Sequence, residues 1–249
     1  MTNVLRVWIT GASSGIGRAV AFEMARRGYQ LIISGRNQSS LNEIAALTQA
    51  LVIPFDVTDR AENLAAADKI KQKFGCVDLV FFNAGNCEYV DTKKFDSAPF
   101  ENMIKTNFLS MVYGVEAALP LLRLSKNPHI VGMSSSSAYF GLPRAEAYGS
   151  SKAAVRHFLQ SLRIDLIPEK IPVSIVLPGF VQTPLTDKND FPMPGRITPE
   201  AAAKKIVDGI EAKKHEILVP FGFAFLLKLM MYLPSRLATF LIHKKTGLQ

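Results

Sequence analysis

Cysteine is scarce in this chain of 249 residues: there are two, Cys76 and Cys87, with no CxxC spacing. That excludes a disulfide framework and fits a reducing compartment, so a cytoplasmic location is expected. The four histidines, at 129, 157, 215 and 243, are scattered, and no metal site is expected. Despite a net charge of +8 there is no run of five like charges. No nucleic-acid motif is present either, so nucleic acid is not the expected partner. A phosphorylated ligand or an anionic membrane surface accounts for the excess charge equally well. No signal peptide is visible: the first apolar run, Val4 to Ile9, is too short for one and leads into a glycine loop. Internal repeats, low-complexity tracts and interdomain linkers are also missing.

What is there is alternation. Short apolar, β-rich runs at 4–10, 30–34, 50–55, 77–82, 129–134, 172–177 and 216–219 take turns with helical patterns at 15–28, 38–48, 59–73, within 100–124, 146–167 and 199–213. Strands buried on both faces are continuously apolar, as most of these are. The pattern predicts an α/β fold: a Rossmann-type, doubly wound, seven-stranded parallel sheet with helices on both faces. It forms a single domain over 1–219, followed by an apolar helical extension over 220–249.

The loop between the first strand and the first helix reads TGASSGIG and carries Gly11, Gly15 and Gly17. Without side chains, these positions let a sharp turn form and let a diphosphate approach the backbone. Unpaired N–H groups at the helix start then face the phosphates. The position of the triplet, more than its composition, makes it a nucleotide-binding signal.

In AYGSSKAAV, Tyr148 and Lys152 stand one helical turn apart and share a face. They are a solvated edge or a tuned acid; spacing alone does not choose. A free tyrosine titrates near pH 10, so work near neutrality needs a shift of about 3 units, roughly 4 kcal/mol. One ammonium at about 4 Å supplies about 4 kcal/mol at an effective dielectric near 20. Burial opposes it.

These motifs together resemble the classical short-chain dehydrogenase/reductase family. TGASSGIG is similar to its TGxxxGIG signature, and Asn83-Ala84-Gly85 to its NAG motif. Asn107 in IKTNFLS resembles its catalytic-helix asparagine. Ser135, Tyr148 and Lys152 resemble its Ser and Tyr-xxx-Lys set, and Pro178-Gly179 with Thr183 its PG-xxx-T segment. The resemblance implies a nicotinamide cofactor and interconversion of a carbonyl and an alcohol. Tyr148 is then the proton donor or acceptor, and Ser135 a hydrogen-bond donor to the same oxygen. Lys152 lowers the phenol's pKa and holds the ribose, while Asn107 positions a relay water. It further implies that Gly11, Ser13, Ser14, Gly15, Ile16, Gly17, Asp56, Val57, Asn83, Ala84, Gly85, Pro178, Gly179, Val181 and Thr183 surround the cofactor, with Tyr148 and Lys152. A homodimer or homotetramer is the family's usual state. Taken singly, Asp56 is also a candidate helix cap, and Asn83 a backbone organiser.

The second strand ends Ser34-Gly35-Arg36-Asn37, with no carboxylate. A carboxylate there would repel a ribose 2′-phosphate, whereas a guanidinium binds one. NADP(H) is therefore expected over NAD(H), with Arg36 on the phosphate.

Two segments remain. Residues 184–199 hold four prolines and a glycine; they are expected to be a surface loop or a lid over an apolar substrate. From Phe221 to Ile242, 16 of 22 residues are apolar, interrupted by Lys228 and Arg236, and no acid follows Glu216. Two short helices meeting at Pro234 are expected rather than a membrane span. Their apolar faces cover a substrate pocket or another subunit, or they rest on a membrane surface through 221–245.

Overall fold

The seven apolar runs become seven parallel strands in the computed structural model, which describes residues 4–246, with backbone alone at Lys188, Lys245 and Thr246. The ends of the expected ranges, 1–3 and 247–249, lie outside the described residues, as does the Lys245 side chain. The strands are β1 (Arg6–Thr10), β2 (Gln30–Ser34), β3 (Leu51–Val52), β4 (Leu79–Phe82), β5 (His129–Met133), β6 (Val173–Pro178) and β7 (Glu216–Val219). They lie in the order β3-β2-β1-β4-β5-β6-β7. The order reverses between β1 and β4, and the crevice beyond the carboxyl ends of these strands is where this architecture binds ligands.

Crossover helices cover both faces. On one lie α1 (Gly15–Arg26), α2 (Gln38–Thr48) and α7 (Pro199–Glu211). On the other lie α3 (Arg60–Phe74), α5 (Ser110–Leu122) and α6 (Glu146–Asp165). Strand side chains alternate between the two cores: Val7 and Ile9 enter the first, Trp8 the second. The last two helices, α8 (Phe221–Met230) and α9 (Ser235–Thr246), join the second core through Leu227, Met230 and Ala238. Among the described residues no helix is long and apolar enough to cross a membrane.

The structure departs from the expected elements in two places. The third strand shrinks to two residues because Pro54 lacks a ladder donor, although Ile53 and Phe55 still donate to the Ile33 and Gly35 carbonyls at 3.0 and 3.2 Å. The helix expected within 100–124 is α4 (Ala98–Met103), a π-helical stretch at Ile104–Leu109, and α5. Such stretches tend to mark functional positions, and Asn107 lies inside this one.

Candidate active site

The carboxyl ends of the strands open into a cleft of about 680 Å3. Its floor is the glycine loop. A Cβ on Gly11 would stand 2.7 Å from the Ala84 Cα, and one on Gly17 only 2.2 Å from the Gly11 carbonyl oxygen. Larger residues at either position would push the loop off the sheet. Asn83 locks the arrangement by donating its amide to the Thr10 and Gly11 carbonyls at 3.2 and 2.9 Å. It is both a backbone organiser and part of the cleft wall.

The start of α1 is unlike the starts of α2, α3 and α7. Asn37, Asp59 and Thr198 cap those three with side-chain acceptors. Ser14, at the N-cap of α1, makes no side-chain cap, and the first turn has no acid. These amides belong to a helix end that lines the cleft, a ready anion site. The donor set fits a dinucleotide diphosphate. The wall continues through Ser13, Ser14, Gly15 and Ile16 to Arg36, then Asp56 and Val57, Asn83 to Gly85, Tyr148, Lys152, Pro178 and Thr183. Asp56 is not the cap of α3. Its carboxylate accepts from the Thr58 amide and hydroxyl, both at 2.9 Å. The Thr58 amide bond, with help from nearby Arg36 and Lys105, holds it below its ordinary pKa.

Five of the expected residues are off the cleft wall: Ser135, at the mouth of β5, and four that sit behind the cleft. Gly17 serves the loop's packing. Gly179 makes room for the Phe223 ring. The Val181 side chain turns into the core at 2% exposure, because its backbone bridges to Ile197. Asn107 is fully buried, and its amide clamps one neighbouring backbone unit. It accepts from the Asn86 N–H at 2.8 Å and donates to the Asn86 carbonyl at 3.0 Å and to Ser151 Oγ at 2.9 Å. The relay role implied for Asn107 therefore cannot rest on a free side-chain amide; here it positions the Asn86 turn.

Tyr148 and Lys152 come together with Ser135 at the mouth of β5. Lys152 is 3% exposed. Its Nζ donates to the Met133 carbonyl at 3.1 Å and sits 5.9 Å from the centroid of the Tyr148 ring. Burial pulls the ammonium down to about 8. The same burial pushes the Tyr148 phenol well above its ordinary value, aided by the Cys87 thiol; a hydrogen bond with Ser135 opposes the rise. Burial thus outweighs the lowering that Lys152 is expected to give the phenol. The ammonium is directed to a carbonyl, and desolvation wins. Ser135 Oγ is also held by the Ser137 hydroxyl and amide at 3.0 and 3.2 Å.

Sequence reasoning missed Lys105, Asn86 and Leu185 on the wall, and Cys87, whose thiol is raised by burial beside Lys152 and Tyr89. Lys105 stands two residues before Asn107, a spacing that could have flagged it.

The 184–199 segment lies beside this site. Tyr89 donates to Asn189 Oδ1 at 2.8 Å and meets the Phe191 ring edge-on at 5.6 Å. Phe191 adjoins Phe180 at 6.1 Å, and Phe180 packs on Phe223 of α8 at 4.9 Å. Arg144 ties the segment down through Asp190 at 2.7 Å.

The short chain dehydrogenase family model matches residues 6–192. The chain belongs to the short-chain dehydrogenase family. An uncharacterized oxidoreductase of Myxococcus xanthus is 32% identical over 234 residues, covering 92% of each chain. The 11-beta-hydroxysteroid dehydrogenase 1A of Arabidopsis thaliana is 33% identical over 242 residues, covering 87% of this chain and 68% of that protein. Two solved structures share the fold. A short-chain dehydrogenase/reductase of Burkholderia phymatum in complex with NAD has a TM-score of 0.81 at 23% identity, covering 92% of this chain and 93% of its own. An alcohol dehydrogenase of Thermococcus sibiricus complexed with 5-hydroxy-NADP has 0.78 at 26%, covering 87% and 96%. Among the described residues no group of His, Cys, Asp or Glu is arranged to hold a metal ion.

Proposed function

We propose that this short-chain dehydrogenase family member is an NADP(H)-dependent oxidoreductase that interconverts a carbonyl and an alcohol on an apolar substrate. The observation that carries this reading is the meeting of Tyr148, Ser135 and Lys152 beside a glycine-loop cleft. When bound, the nicotinamide supplies or accepts the hydride. The chain's own residues handle the proton and the oxygen. Because burial keeps the phenol protonated, Tyr148 Oη stands ready to donate as charge grows on a substrate oxygen. Ser135 Oγ shares that oxygen and stabilises the charge. Lys152 supplies a positive charge behind the phenol and a donor for ribose hydroxyls.

NADP(H) is favoured by Arg36, which lines the cleft where β2 ends without a carboxylate. Lys105 is a second cation on the same wall. The apolar substrate is supported by the Phe180–Phe191–Phe223 cluster and by the name of the Arabidopsis relative, a hydroxysteroid dehydrogenase. The test is NADPH oxidation across ketones and aldehydes graded by chain length and ring size, repeated with Arg36→Glu. Turnover on apolar members is expected. The variant is expected to lose NADPH affinity by roughly a hundredfold, as like charges across a contact cost several kcal/mol. Unchanged NADPH affinity would remove the cofactor assignment. No turnover on any carbonyl would leave a nicotinamide-binding protein without this activity.

A further inference from the structure

Large apolar side chains are exposed in two very different densities. From residue 4 to 220 seven are exposed, at Val4, Leu47, Leu64, Phe95, Leu124, Ile164 and Ile167, and of these just Ile164 and Ile167 are near one another in sequence. From Phe221 to Leu241 there are ten. In α8 the exposed ones fall at 221, 225, 226 and 229, and in α9 at 237, 240 and 241. Each set follows helical spacing, so each is a stripe on one face. The opposite faces already contribute to the core through Leu227, Met230 and Ala238, and Ala224 is fully buried. Helix α8 is thus apolar on both sides, a pattern that belongs to a helix covered on both sides.

The charges say what covers it. No carboxylate occurs after Glu216, and Lys228 is committed to Glu216 at 2.6 Å. Arg236 and Lys244 are exposed. They sit four residues to either side of Phe240, on the same helical column. Tyr232, between the helices, is 77% exposed, and an aromatic ring with a polar tip suits a lipid–water boundary. A second copy placed by a two-fold axis would bring the same basic residues together with no acid from this segment to neutralise them. An anionic surface meets both the apolar stripes and the cations.

We propose that α8 and α9 dock flat on an anionic lipid bilayer, burying their exposed stripes in one leaflet. The docked face adjoins the substrate side, because Phe223 of α8 packs against Phe180, which meets Phe191 of the 184–199 segment. A lipophilic substrate then has a short path from the leaflet to the cleft. Docking itself needs no turnover, so its test is independent of the redox reading.

The experiment is sedimentation of the full chain with phosphatidylcholine vesicles, with and without phosphatidylglycerol. Light scattering and thermal unfolding are run on the same samples. The wild type is expected to bind the anionic vesicles at least roughly tenfold better than the neutral ones, with binding weakened by salt. The double variant Phe225→Glu, Leu229→Glu should lose binding while its melting temperature and molar mass stay unchanged. Arg236→Glu with Lys244→Glu should lose the preference for anionic lipid. The proposal is overturned if the wild type binds neither vesicle, or if Phe225→Glu, Leu229→Glu binds like the wild type. It is also overturned if that variant turns a wild-type oligomer into a smaller species, because a second copy then covers the face.

Discussion

Glu216 and Lys152 are both charged groups withdrawn from water, and the protein treats them in opposite ways. Glu216, at the start of β7, accepts from Tyr139 at 2.8 Å, Arg156 at 3.1 Å and Lys228 at 2.6 Å. Burial pulls its carboxyl upward, but the bonds from Lys228 and Tyr139 outweigh that and hold it below the usual range. Lys152 is more deeply buried and has no carboxylate partner among the described residues. Its ammonium donates to the Met133 carbonyl and is drawn down to about 8. The first charge joins α8 to the sheet edge and is fully answered. The second is left under-partnered beside an open cleft. Buried charge that the fold does not satisfy marks the place where a ligand or a reaction is meant to satisfy it.

The largest effect lies on the cleft side. Tyr148→Phe removes the proton that the proposed reaction draws on, and turnover should fall by roughly 10²- to 10⁴-fold. NADPH affinity should be little changed, as fluorescence titration would check. Near wild-type turnover in that variant would place Tyr148 with Glu216 among the structural groups.

The Glu216 side comes next. Glu216→Gln leaves two cations and a phenol facing a neutral amide. Since the cluster is partly buried, the cost should fall between the exposed and buried limits, about 2 kcal/mol. The loss should appear in denaturant unfolding, with turnover of the folded enzyme nearly intact. Because the folded carboxyl is held down, its contribution is present above the unfolded carboxylate pKa and fades as pH falls through the folded value. The gap between wild type and variant should therefore close in acid.

Much of this was legible in the residues. The glycine loop, the alternation of strands with helices and the shared face of Tyr148 and Lys152 follow from spacing, because each depends on local backbone chemistry. The direction in which each group's pKa moves was not legible. Spacing puts Lys152 near Tyr148, but only the packed structure shows Nζ turned to Met133 and both groups desolvated. The turn of the Val181 side chain into the core was hidden for a related reason: its partner across the bridge, Ile197, is 16 residues away. The π-helical stretch gives no periodicity of its own, so the clamp of Asn107 on Asn86 was hidden. The tail's apolar content was plain, whereas its anchorage through Lys228 and Glu216 needed the geometry.

Lys152→Met tests the central contrast most directly, with thermal unfolding and NADPH oxidation measured on the same samples across pH. A folded pKa near 8 against an ordinary value of 10.5 means that the ammonium opposes folding by about 3 kcal/mol at neutral pH. Loss of the bond to Met133 takes back about 1 kcal/mol. Since the folded value is depressed, wild-type stability rises with pH between about 8 and 10.5. The account predicts a methionine variant that melts higher than wild type below pH 8, loses that advantage by about pH 10.5, and has lost nearly all turnover. A variant that melts lower at neutral pH, or that keeps its turnover, would contradict it.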